Sequence, residues 1–314
     1  MLAVRILQEQ GWEVEALNVQ TTFECCRTSA AQAAAALGVR LQIAVTGDEY
    51  LDVIRRPKYG YGKSVNPCVD CRIHMACLAR RWMQHCDASL VATGEVLGQR
   101  EMSQKRVDLD VIAKQSGLEG RLLRPLSAKR LAPTLPEREG LVDRDRLFDF
   151  HGRGRRGLIE LAGRLGLDRI PSPSTGCRLT ERAFAPRVRD LLAHRVDANL
   201  WEFELLRIGR HLRLTRDAKL ILGRNARENR ALAEFHARAD ARECVLVEPE
   251  GFAGPSALLY GGLHEQAIPT AGALVVRYSK SAGPARVAVR KAGADMPEFR
   301  EIAATADPTE PAWL

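Results

Sequence analysis

The spacing of apolar and polar positions changes several times along the chain, and each change predicts an element. Met1–Gln10 repeats its apolar residues at helical spacing, with no capping residue in front. Trp12–Val19 (WEVEALNV) alternates as a strand. Ser29–Leu37 (SAAQAAAAL) predicts an alanine-rich helix, with Ser29 as a candidate N-cap and Gly38 as its stop. Arg40–Val45 predicts a second strand, Leu51–Arg55 a short helix and His74–His85 a longer one. Ser89–Thr93 predicts a third strand, ending at Gly94. Between the last two helices runs a loop, RPKYGYGKSVNPCVDC. Strands alternating with helices at this spacing imply an α/β fold, a parallel sheet with helices on both faces. Ligands of such sheets lie beyond the carboxyl ends of the strands. The segments TTFECC, TGDE and GEVLGQREMSQ are therefore expected to converge.

The second half is patterned differently. LLRPLSAKRLAPTLPE is rich in Pro, Leu and Arg, and GRGRRGLIELAGRLGL is a basic loop leading into a helix. PSPSTGCRLT reads as another loop, and Thr180–Ala193 as a helix. Beyond Val196, strand-like and helical pieces alternate, and ECVLVEP, ALLYGG and ALVVRYSK each read as β-strands between Gly and Pro. This predicts a second, α+β module. The stretch after Met296 is acidic and contains proline, so it reads as a tail. The division is 1–184, 185–295 and 296–314.

Length and composition narrow the class. A chain of 314 residues suggests about two domains. Hydrophobic residues make up 46% and charged residues 27%, which excludes disordered and collagen-like chains. There is no run of apolar residues long enough for a membrane-spanning helix. The first residues lack the pattern of a signal peptide, so the expected location is cytoplasmic. The formal net charge of +8 is unevenly placed. His151–Arg230 holds 18 Lys and Arg against 9 Asp and Glu, which is more than the whole excess. Such a block is either a solvated arginine-rich surface or a phosphate-binding face, as for nucleic acid.

The 8 cysteines are too few for a disulfide scaffold of this length. Cys68 and Cys71 form a Cys-x-x-Cys pair, whose sulfurs can face one metal or each other. No second pair completes a zinc site. With Cys177 as a third thiolate, the pair could hold an iron–sulfur cluster with one open iron. A metal-free redox pair is the other reading. Cys77 and Cys86 lie at helical apolar positions and read as core, as does Cys244. Of Cys25 and Cys26, at most one is expected to serve a site. His74 and His85 read as surface or helix-end residues. Gly94, Glu95, Gly98 and Gln99 form a glycine-rich turn after a strand, with Ser103 and Gln104 beside it. That is either a phosphate loop or an ordinary strand-to-helix turn.

NPCVDC, SLVATGEVLGQREMSQ and STGCRLT, in this order, resemble the ATP-dependent tRNA thiolation enzymes over about Met1–Phe184. These are PP-loop ATPases that include tRNA 4-thiouridine synthetases and tRNA 2-thiouridylases. The G-E-x-x-G-Q element after the strand is most similar to the 4-thiouridine synthetases. The resemblance implies a Rossmann-like sheet of the adenine nucleotide alpha hydrolase type. It implies ATP with Mg2+ as cofactor, with Gly94, Glu95, Gly98 and Gln99 at the nucleotide. It implies Cys68 and Cys177 as catalytic residues, with Cys68, Cys71 and Cys177 holding a 4Fe–4S cluster, or Cys68 and Cys177 acting as a persulfide and disulfide pair. The partners it implies are tRNA and a sulfur donor, sulfide or a persulfide carrier. Arg72 and Lys63 would neutralise charge, Arg153, Arg155 and Arg156 would meet RNA phosphates, and Tyr59 and Tyr61 would stack on a base. KLILGRNARENRAL with the strand-like pieces after it is similar to the RNA-binding module of NFACT proteins over about Glu202–Lys280. That likeness rests on Gly223, Arg224, Asn225 and Asn229.

Two departures qualify the first resemblance. The family's S-G-G-x-D-S loop, which binds pyrophosphate at a helix N-terminus, is absent. MLAVRILQEQG matches the helix that follows it, so about 10–15 residues of strand and loop are missing. Either the start lies upstream of Met1, or the chain is an impaired relative that keeps RNA binding without catalysis. Glu101 stands where a turn-forming proline is more natural. A small-molecule amidotransferase-like enzyme is a third reading, which the basic block disfavours.

Overall fold

The apolar stripe of the first helix, Ala3, Ile6 and Leu7, is buried and forms part of the N-terminal core. The computed structural model describes residues 1–23, 28–167, 170, 176–262, 266–279, 284–294, 296–302 and 313–314. The chain divides into two compact units, Met1–Glu181 and Arg182–Leu314.

The first unit runs α1 (Leu2–Glu9), β1 (Ala16–Gln20), α2 (Thr28–Leu37), β2 (Leu41–Val45), α3 (Glu49–Arg55), α4 (Cys68–His85), β3 (Val91–Ala92), α5 (Arg106–Gln115), β4 (Leu122–Leu123), α6 (Leu135–Arg138) and α7 (Arg156–Arg164). Ile6, Leu7, Val96, Leu123, Leu147 and Leu161 pack into one core. The helix expected from His74 starts six residues earlier, so Cys68 and Cys71 lie on its first turn instead of in a loop.

The single parallel sheet expected from the alternation, and the Rossmann-like type the resemblance implies for it, are not formed by the described residues. They make two separate parallel pairs: β1 with β2, from Ala16↔Leu41 to Gln20↔Val45, and β3 with β4, Val91↔Leu122 and Ala92↔Leu123. Parallel strands gain their stability when both faces are covered, yet Ile43 is 45% and Val45 72% exposed. Both β1 and β3 line one cavity.

The second unit runs α8 (Ala185–His194), α9 (Leu200–Leu205), β5 (Arg210–Arg213), β6 (Ala218–Leu222), α10 (Ala226–His236), β7 (Cys244–Pro249), β8 (Ala257–Gly261), α11 (Ala267–Arg277), β9 (Ala285–Lys291) and β10 (Glu298–Ile302). Its six strands form one antiparallel sheet in the order β10-β9-β7-β8-β6-β5. α11 packs Ala271, Leu274 and Val275 on one face, against Val245, Leu259 and Val287. The other face carries Trp201, Leu205 and Leu232 of α9 and α10 on Ile221, Leu246 and Leu258.

Three expectations are corrected here. ALVVRYSK is not a strand, because most of it belongs to α11: Ala267, Ile268, Ala271, Leu274 and Val275 recur at helical spacing and are buried. Gly272 lets that helix approach β10, since a Cβ there would stand 2.6 Å from Ile302. The helix expected from Thr180 starts at Ala185, after a 3-10 turn at Arg178–Thr180, with Pro186 in its first turn. Residues 298–302, read as tail, pair with β9 as the edge strand β10. Among the described residues, no helix is long and apolar enough to cross a membrane.

Candidate functional site

A cavity of about 930 Å³ opens in the N-terminal unit between α1, β1, α4, β3 and the Gly176–Thr180 segment. Cys68, Cys71 and Cys177 all line it. The first two face it together because they lie one turn apart at the start of α4. Asn66 Nδ2 donates a hydrogen bond to Cys68 Sγ at 3.1 Å, and Tyr50 Oη donates to Cys71 Sγ at 3.1 Å. Burial pushes the Cys71 thiol up, against the Tyr50 hydrogen bond. Burial also pushes Cys177 up to about 12; the Leu179 amide opposes the rise, while Cys71 and Cys68 add to it. The thiols of Cys71 and Cys177 therefore rest protonated.

Three thiols are the right donor type for a thiophilic metal. Among the described residues, however, no group of three His, Cys, Asp or Glu side chains is disposed to hold a metal ion. The cysteines gather at one cavity.

The glycine-rich turn is held by backbone hydrogen bonds of its own. Gly98 sits at φ +73° and its amide donates to Gln104 O at 2.6 Å. The Gln99 amide donates to Val96 O at 3.1 Å, so neither N–H is directed at a phosphate. Of Gly94, Glu95, Gly98 and Gln99, only Glu95 is among the cavity-lining residues. It is 5% exposed, and its Oε2 accepts from Arg124 Nε at 3.0 Å and from Thr93 Oγ1 at 3.2 Å. Arg72 lies 3.8 Å from the other carboxylate oxygen. Ser103 and Gln104 are buried.

Other candidates are spread out. Lys63 and Arg153 both pair with Glu101, and Arg156 pairs with Glu160. Tyr59 and Tyr61 are 39% and 41% exposed, and Tyr61 Oη donates to Ile54 O. Cys244 is buried, as expected, while Cys86 is exposed and Cys77 half-buried, which corrects their reading as core. His85 closes α4 and His74 packs edge-on against Tyr50. Cys25 and Cys26 lie outside the described residues. Sequence reasoning missed Tyr50, Asn66 and Arg124. Asn66 carried a signal in its place two residues before Cys68. The others are far in sequence from the groups they meet.

In the C-terminal unit the basic block splits into internal and external parts. Asp190 accepts from Arg213 Nη2 at 2.7 Å and from Lys219 Nζ at 2.7 Å, and Lys219 is 0% exposed. These two cations hold the interior together. Arg216, Arg227 and Arg230 are exposed. Arg210 lies over the Tyr278 ring at 5.2 Å, so one sheet corner presents guanidinium and aromatic groups side by side.

Residues 209–311 match the family of the NFACT protein RNA binding domain. The C-terminal unit carries an RNA-binding domain. Among solved structures, the C-terminal part of the fibronectin/fibrinogen-binding protein from Streptococcus suis is similar over 48% of this chain and 71% of that one, at 11% identity and a TM-score of 0.26. No curated protein matches the chain. The RNA-binding domain takes in β5 to β10, so the whole sheet lies within it.

Proposed function

We propose that this protein binds RNA through its C-terminal unit and that this binding, independent of catalysis, is its primary activity. The match of residues 209–311 to the NFACT RNA binding domain carries this reading. The exposed Arg216, Arg227 and Arg230 supply the charge that phosphates require. A titration of a fluorescent single-stranded RNA against the full chain tests it. Affinity is expected to fall as salt rises, with a log–log slope of about −0.7 per phosphate contacted. Absence of binding, or a flat salt response, would overturn the reading.

A second reading is ATP-dependent thiolation of a tRNA uridine, with Mg2+ beside the nucleotide. The gathering of Cys68, Cys71 and Cys177 at one cavity favours it. In that reaction a uridine carbonyl oxygen attacks the α-phosphate of ATP and pyrophosphate leaves. Sulfur then displaces AMP. Cys68 and Cys177 would act on the sulfur, and a 4Fe–4S cluster, when bound, would present it as hydrosulfide. Anaerobic loading with iron and sulfide separates the alternatives. The cluster reading expects about four irons and a broad band near roughly 400 nm, both lost in Cys68→Ala, Cys71→Ala and Cys177→Ala. The persulfide reading expects no iron and, when a persulfide carrier replaces sulfide as the donor and leaves as its thiol, cyanide-releasable sulfur on Cys68 or Cys177.

A further inference from the structure

The two faces of the C-terminal sheet are covered unequally. Opposed residues of an antiparallel pair share a face, so the registers Leu246↔Arg290, Glu248↔Ala288, Phe299↔Ala288 and Glu301↔Arg286 place these side chains on the same side as α10. α10 packs on β7 and β8 through Leu232, which meets Leu246 and Leu258. Beyond that helix, at β9 and β10, the same face emerges into solvent. Arg286, Arg290 and Glu301 are exposed, and Phe299 is 44% exposed. The Arg286 guanidinium lies 4.2 Å from the Phe299 ring centroid. A half-exposed phenyl ring paired with an arginine is a stacking platform of the kind that holds an unpaired base.

Beside the platform, where α10 ends, lies a cleft of about 610 Å³. His236, Arg238, Glu248 and Arg290 line it. His236 is 9% exposed, and its Nε2 has no hydrogen-bond partner. The ring bonds the Arg290 backbone, and burial pushes its pKa down, so it is neutral near pH 7. With the other nitrogen donating to a carbonyl, Nε2 is left as an acceptor. An unmet acceptor inside a cleft calls for an N–H or O–H donor from a ligand. Glu248, 3.7 Å from Arg290, adds a second acceptor.

We infer that this cleft and the adjoining Phe299–Arg286 platform bind unpaired nucleotides of an RNA strand. One base stacks on Phe299 and Arg286, and its neighbour enters the cleft. There His236 Nε2 and Glu248 accept hydrogen bonds from a ribose 2′-hydroxyl or a base amino group, and Arg290 meets the phosphate between them. The inference rests on the RNA-binding reading and adds to it a location and a preference for unpaired over paired strands. The 2′-hydroxyl is the group that separates RNA from DNA at such a site.

The experiment uses the full chain and a short fluorescent single-stranded RNA of mixed sequence, with DNA and duplex RNA of the same sequence as competitors. Phe299→Ala is expected to weaken binding about tenfold, since stacking on one aromatic ring is worth roughly that much. His236→Phe, which keeps the ring volume, is expected to narrow the preference for RNA over DNA. Ultraviolet crosslinking is expected to attach RNA to the peptide containing Phe299, and this readout does not depend on any variant folding. Wild-type binding that is unchanged in both variants, with crosslinks confined to other peptides, would overturn the site and leave RNA binding by this unit standing. No RNA binding by the wild type would overturn both.

Discussion

Asp190→Ala is expected to destabilise the C-terminal unit by about 3–5 kcal/mol, the usual cost of removing one partner from a buried ion pair. Asp190 holds Arg213 through both carboxylate oxygens, at 3.0 and 2.7 Å, and Lys219 at 2.7 Å. Burial alone would push the Asp190 carboxyl up, but the hydrogen bonds from Arg213 and the charge of Lys219 outweigh it and hold the carboxyl low. Alanine leaves Lys219, at 0% exposure, without its counter-charge. Burial already pushes Lys219 down to about 8 against the pull of Asp190, and the substitution lowers it further. Between that value and the unfolded lysine near about 10.4, the unfolded chain binds more protons than the folded one, so stability rises with pH. The variant should therefore gain stability from pH 6 to pH 9, starting at a lower pH than the wild type. In acid the wild type follows the same sign: the support from Asp190 is complete above the ordinary carboxylate range and is lost as pH falls through its lowered pKa, so stability again rises with pH. Denaturant unfolding across pH checks both limbs. Adding Lys219→Met to Asp190→Leu should recover part of the loss, because the fully buried ammonium is then gone and only Arg213, 15% exposed, is left without its partner. A single variant as stable as the wild type at pH 6 would show that the triad contributes nothing.

Glu95→Ala should cost about as much, roughly 3–5 kcal/mol, in the N-terminal unit. It strands Arg124, which is 5% exposed and whose Nη2 also donates to Leu109 O at 3.0 Å. The loop from Val96 to Gln104 should loosen with it, since it starts beside this pair. Thermal unfolding of Glu95→Ala and Glu95→Gln, with ATP binding measured in parallel, separates two roles. Lost stability is expected in both variants, smaller in the glutamine one. Unchanged stability with lost ATP binding would make Glu95 a ligand contact in place of a fastening within the fold.

How legible these features were in the sequence depends on the range of the interactions. Local periodicity located α1, β2 and the C-terminal strands β7 and β8, because side-chain alternation and helical spacing are written within one element. It failed at α11, where an almost wholly apolar stretch fits either period, and tertiary packing against Val287 and Ile302 decided for helix. Strand–helix alternation predicted parallel pairing, which both N-terminal pairs show. It could not show whether β1 and β3 share a sheet, because that depends on what stands between them. Cys68, Cys71 and Cys177 were picked out by motif and face one cavity, yet the residues that bond them, Tyr50 and Asn66, were passed over. The charge count treated Arg213 and Lys219 as surface. A count cannot distinguish a cation meeting a phosphate from one locked to a buried carboxylate.

The two N-terminal strand pairs have a consequence for the order in which the molecule opens. A two-stranded pair is marginal alone, so the backbone amides of β1 and β3 draw their protection from side-chain packing more than from a continuous ladder. β7 is flanked by β8 and β9, and its Val245 and Val247 are fully buried. The molecule is therefore expected to open locally first around the thiol-lined cavity and last in the centre of the C-terminal sheet. Solvent and small reactants are expected to reach the cysteines through that first opening, before the second unit yields.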